Sequence, residues 1–143
     1  MRLWHKDLIP YLPKKQLIAQ WRELCAIASN LANKGTPNHI LVNKILNYTK
    51  NHFWNYHLLI IKEMRNRGYR TTSNSINMFT INYRYWIEDN EPLVFSIVCF
   101  NDLFSDWHNE RYLKQCLYNL QEKYDCGGIS EEEWKIIQEH FYI

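Results

Sequence analysis

Apolar residues recur at three- and four-residue steps along most of the chain, the pattern of helices that bury one face. The first clear stripe is Leu17, Trp21, Leu24, Ala28 and Leu31. It follows Pro13, a residue suited to a first helical turn, and stops before Gly35, which can take the left-handed conformation of a helix cap. Thr36 and Pro37 repeat the start signal, with Thr36 as cap, and Leu41, Ile45 and Leu46 form the inner side of the helix they open. A longer helix is predicted from Thr49 to Arg67, with Phe53, His57, Ile60, Ile61 and Met64 facing inward and Gly68 as its stop.

Residues 71–91 break the pattern. Thr71 to Ser75 has loop composition, and Met78 to Trp86 mixes β-branched and aromatic residues without clean alternation. The prediction there is an irregular segment with a short extended piece. Glu91-Pro92 then opens a buried helix. Asn109 caps another, with Tyr112, Leu113, Cys116, Leu117, Leu120 and Tyr124 as its stripe and Gly127-Gly128 as its stop. Ser130 and Glu133 form a capping box for a last helix carrying Trp134, Ile137 and Phe141 on one side. The predicted fold is all-α, a single compact domain over 1–143 of five or six helices with an irregular segment near 71–91.

Composition fits that reading. A chain of 143 residues is the usual size of one domain, and 15% aromatic residues with 4 Gly and 4 Pro argue against disorder. Met1 to Asp7 is too charged for the apolar part of a signal peptide, and the longest nearly apolar stretch, Pro92 to Phe100, spans nine residues where a membrane helix needs about 20. A cytoplasmic monomer without membrane contact is expected. The cysteines (Cys25, Cys99, Cys116, Cys126) show no C-x-x-C and no zinc-finger spacing, so they are expected to be buried free thiols. No pair of the six histidines shows the helical i, i+4 spacing of a metal site.

The net charge of +2 conceals an asymmetry. Residues 1–70 hold twelve Lys or Arg against Asp7, Glu23 and Glu63, a balance of +9, and residues 71–143 carry −7. A +9 half can supply a phosphate-binding surface, or its bases can meet the acids of the other half as ordinary surface pairs. Within the basic half, Arg22, Glu23 and Ala26 fall on the side of the first helix away from the Leu17/Trp21/Leu24 stripe. An Arg-Glu pair there is either a solvated surface or a carboxylate placed to meet a polyanion.

The run Leu17-Ile18-Ala19-Gln20-Trp21-Arg22-Glu23-Leu24 resembles the first-helix motif of phage-type endonuclease V, the pyrimidine-dimer DNA glycosylases: Arg-Glu-Leu preceded by an aromatic, at a matching distance from the amino terminus. Glu63-Met64-Arg65-Asn66-Arg67-Gly68-Tyr69 is similar to that family's basic helix end. A looser likeness lies at His108-Asn109-Glu110 and along the following helix to Gln121-Glu122-Lys123. The resemblance covers residues 1–70 and, loosely, 105–124; residues 71–91 and the last helix have no counterpart in it.

The resemblance implies a DNA repair enzyme, a bifunctional glycosylase and abasic-site lyase that flips a base out of damaged double-stranded DNA. Its nucleophile is the chain's own α-amine, which attacks the deoxyribose C1′. An α-amine has an ordinary pKa of about 7.7–8.0, so much of it is free base near neutrality. By the same likeness the amine is that of Met1, since a bulky Arg2 normally blocks removal of the initiator. Glu23 matches the catalytic glutamate, Arg22 the phosphate-binding neighbour, and Arg2 the arginine next to the terminal residue. Ala26 stands where the family has an arginine, which removes a phosphate contact, and Lys14, Lys15 and Lys34 are candidates to supply that charge. Neither metal nor cofactor is required. The alternatives are a non-catalytic DNA-binding module of the same fold and a protein-interaction domain whose two charged halves pair with a partner. Trp4 and His5 either line the pocket or anchor the terminus.

Overall fold

A computed structural model describes residues 1–37, 39–88 and 96–143. They form α1 (Lys14–Lys34), α2 (Asn51–Asn66), α3 (Ser73–Trp86), α4 (Glu110–Asp125) and α5 (Glu131–Phe141), with 3-10 helices at Lys6–Tyr11 and Val42–Asn47. No strand occurs among the described residues, so the fold is all-α as the periodicity predicts.

The local signals act where they were expected. Gly35 ends α1 at φ 75° and donates its N–H to the Leu31 carbonyl at 3.2 Å. No neighbour lies within 4 Å of where its Cβ would be, so conformation alone favours glycine there. Asn109 caps α4 by accepting from the Tyr112 N–H, and Ser130 and Glu133 close a reciprocal capping box on α5. The stripes of α1, α2, α4 and α5 run into one apolar cluster that also takes in Leu3, Trp4, Leu8 and Leu12 from the start of the chain. No described helix is long and apolar enough to cross a membrane.

Several expectations are corrected. Residues 73–86, expected to be irregular, are α3, whose Thr72 cap accepts from the Ser75 N–H. Phe79 and Tyr83 point inward, one turn apart, and the helix packs along α1. Met78, Ile81 and Tyr85 are exposed on the other side, so apolar residues surround the helix and hide its period. The helix expected after Pro37 is the short 3-10 piece at Val42–Asn47. Three residues per turn bring Val42 and Ile45 inward and leave Leu46 42% exposed.

The helix expected from Glu91-Pro92 begins outside the described residues, and its described continuation at 100–107 is a series of turns. Carbonyls in those turns are capped by a buried lysine. Lys6 Nζ donates to the carbonyls of Phe100 (2.6 Å), Leu103 (2.7 Å) and Asn101 (3.3 Å). The expectation of buried thiols holds for Cys116, while Cys25 is half-buried and Cys99 and Cys126 are exposed, all of them free.

Candidate functional site

The site is built on the first four residues, which run into the core rather than along the surface. Leu3 is fully buried and Trp4 nearly so. A segment without regular structure must find partners for its backbone groups elsewhere, and here they come from side chains. Gln20 Nε2 on α1 donates to the Arg2 carbonyl at 2.9 Å. Tyr112 on α4 donates its hydroxyl to the Leu3 carbonyl at 2.7 Å. Tyr56 on α2 donates to the Trp4 carbonyl at 2.6 Å. Three consecutive carbonyls are thus held by three different helices. The Trp4 N–H in turn donates to Gln20 Oε1 at 2.8 Å.

This clamp delivers Met1 to a surface cavity of about 270 Å³, lined by Met1, Arg2, Trp4, Glu23, His39, Leu41, Asn119 and Lys123. Glu23 lies one turn along α1 from Gln20, and Gln20 Nε2 donates to its Oε2 at 3.4 Å. Burial pushes the Glu23 carboxyl above the usual carboxylate range. Against this act the charge of the Met1 α-amine, a hydrogen bond from the Arg2 backbone, and His39 and Lys123. The amine and the carboxylate share one cavity and act on each other electrostatically, without a direct ion pair between them.

A second, more apolar opening of about 500 Å³ continues from the first, sharing Trp4, Glu23 and Lys123 and extending past Ile18, Ala19 and Arg22 to Gln16 and Lys15. Glu23 stands where the two meet. Arg22 and Lys15 are exposed along this groove, and Ala26 is exposed one turn beyond Arg22. Arg2 is half-buried: its guanidinium lies 5.4 Å from the Trp4 ring centre and donates to Cys116 Sγ at 3.7 Å.

The structure therefore brings Met1, Arg2, Lys15, Arg22 and Glu23 together. It leaves Lys14 out, with its ammonium 5.3 Å from the Tyr69 ring centre on neither cavity. Trp4 both lines the openings and anchors the terminus, so the two readings of it are joined. Ion pairs among the described residues join Glu63 with Arg67 and Lys135 with Glu139. Each lies within one half of the sequence, so these pairs do not neutralise the basic half with the acidic one.

Sequence reasoning assigned no role to Gln20, His39, Asn119 or Lys123. Gln20 left a readable signal, a lone polar residue on the buried face among Leu17, Trp21 and Leu24. His39 and the two α4 residues reach the cavity only through tertiary packing.

A family model for pyrimidine dimer DNA glycosylase matches residues 1–77, more than half of the chain. The matched span holds the amino-terminal segment, α1 and α2, and stops before α4. No curated protein and no solved structure matches.

Proposed function

The chain belongs to the pyrimidine dimer DNA glycosylase family, and from that premise we propose that it is a bifunctional glycosylase and abasic-site lyase with the Met1 α-amine as nucleophile. Family membership makes it a DNA repair glycosylase with DNA as its substrate. The observation that carries the finer reading is that Met1 and Glu23 share one cavity, opening onto a groove with Arg22 and Lys15.

The free-base amine attacks C1′ of the damaged nucleotide, its nitrogen pair forming the new bond. The glycosidic bond breaks, its pair leaves with the base, and the base takes a proton. The amine sheds a proton, the sugar ring opens with O4′ taking its bonding pair and a proton, and an imine remains between C1′ and the terminal nitrogen. The protonated imine draws electrons from C2′, so a proton is lost there. The C3′–O bond then breaks with its pair on the phosphate, cutting the strand. Water hydrolyses the imine and releases the amine.

In this scheme ionised Glu23 offsets the positive charge developing on the sugar, and its raised pKa suits it to exchange protons with the reacting groups. Arg2, Arg22 and Lys15 hold phosphates on either side. The hydrophobic cluster that joins all the elements supports a single domain over 1–143.

The test is reduction with borohydride on abasic-site duplex DNA. A one-to-one covalent protein–DNA adduct is expected from protein with a free Met1 amine. It should disappear when the amino terminus is extended by a tag, which moves the amine away from Glu23. Absence of an adduct from the untagged protein would overturn the reading, and an undiminished adduct from the tagged protein would move the nucleophile elsewhere.

A further inference from the structure

We infer that Gln20 is the positioning residue that sets the α-amine against Glu23, an inference that rests on the function proposed above. Gln20 is fully buried on α1, yet it is polar. A primary amide offers two acceptor lone pairs and two N–H donors, and here each capacity is engaged. Oε1 accepts from the Trp4 N–H at 2.8 Å and takes, at 3.1 Å, the weaker share of the Tyr56 hydroxyl proton, which is forked between it and the Trp4 carbonyl at 2.6 Å. Nε2 donates to the Arg2 carbonyl at 2.9 Å and to Glu23 Oε2 at 3.4 Å.

The bonds to Arg2 and Trp4 bracket Leu3, so one side chain fixes both the place and the direction of the segment that ends in the amine. The fourth bond ties the same amide to the carboxylate. Nucleophile and carboxylate are therefore referred to one rigid point on α1, and the Arg2 backbone bond to Glu23 adds a second link between them. A neutral amide is the group this place calls for. An apolar residue of similar size makes none of the four bonds. A glutamate keeps the two acceptor bonds, but it opposes the Arg2 carbonyl and adds a second negative charge beside Glu23. Misplacing a reacting group by about 1 Å can cost a hundredfold in rate, so loss of the tether should appear in chemistry rather than in DNA affinity.

The experiment compares Gln20→Leu and Gln20→Glu with the untagged wild type, reading the single-turnover rate of borohydride trapping, its pH profile and the Kd for abasic-site DNA. Gln20→Glu keeps the bonds to Trp4 and Tyr56 and carries the test if Gln20→Leu does not fold. Trapping is expected to fall about a hundredfold in both, with Kd within threefold, and the acidic limb of Gln20→Glu should move to higher pH. Ile137→Ala, buried on α5 and absent from both cavities, supplies a variant destabilised without altering a bond of the clamp. Wild-type trapping with unchanged rates and pH profiles in the Gln20 variants would overturn the inference alone. So would a loss that Ile137→Ala reproduces at equal stability. Absence of wild-type trapping would overturn it together with the function it rests on.

Discussion

The hydroxyl of Tyr56, wholly buried on α2, donates at 2.6 Å to the backbone carbonyl of Trp4, fifty-two residues earlier in the chain. Burial also pushes the Tyr56 hydroxyl well above its ordinary pKa, so it remains a donor at any working pH. Tyr56→Phe leaves the Trp4 carbonyl short of a donor inside the core. The expected cost is about 1–3 kcal/mol, read as a shift of the urea midpoint without a change in slope. An unchanged midpoint would mean that the bond adds nothing to the fold.

Glu23→Gln preserves shape and removes charge. If ionised Glu23 offsets positive charge on the sugar, abasic-site cleavage should fall by about a hundredfold or more while DNA binding stays within a few-fold or tightens. Because burial raises the Glu23 carboxyl, the acidic limb of wild-type cleavage should lie above the ordinary glutamate value of about 4.3. Its sign is fixed: activity is lost as pH falls and the carboxyl takes a proton. A cleavage rate untouched by the substitution would remove Glu23 from the chemistry.

Arg22 and Lys15 lie on the groove beside Glu23, and Lys14 does not. Arg22→Ala and Lys15→Ala should each lower the slope of log K against log salt by about one phosphate's worth, close to 0.9. Lys14→Ala should leave the slope nearly unchanged. Equal slopes for all three variants would mean that the groove is not where DNA lies.

Stability itself should depend on pH through His57. It lies against Phe79 with ring centres 4.1 Å apart, donates to the Trp54 carbonyl, and is held by burial down from 6.5 to about 4. The unfolded chain therefore binds one more proton than the folded one between these values, so stability is lost as pH falls from about 6.5 toward 4. Each pKa unit corresponds to about 1.4 kcal/mol, which makes the loss about 3 kcal/mol from this residue. His57→Phe should flatten that part of the curve when urea unfolding is followed at pH 7 and pH 4.5.

What the sequence disclosed and what it withheld follow one physical division. Stripes such as Phe53/Ile60/Met64 and caps such as Gly35, Asn109 and Ser130 act within a few residues, so their patterns are readable along the chain. α3 was hidden because Met78, Ile81 and Tyr85 are as apolar as the buried Phe79 and Tyr83, and no period survives. At the site, Arg22 and Glu23 were legible as an outward pair on α1. The closure of the cavity by His39, Asn119 and Lys123 was not, because it requires α4 to cross the start of the chain. Gln20 lies between these cases: its burial was implied by its neighbours on the stripe, but its partners were not.

The clamp on the first residues also has a bearing on the order of events during synthesis. Residues 2, 3 and 4 leave the ribosome before the side chains that hold them, and domains tend to form from the amino terminus onward. Gln20 and Tyr56 follow early, but the donor to the Leu3 carbonyl is Tyr112, 109 residues later. Until that stretch has emerged, the Leu3 carbonyl of a growing chain lacks its donor and Gln20 and Tyr56 alone hold the segment. A chain that ends before α4 would have the Met1 amine and Glu23 but not the full set of bonds that places one against the other. On the function proposed above, full positioning of the amine then waits for α4, with no separate activating step.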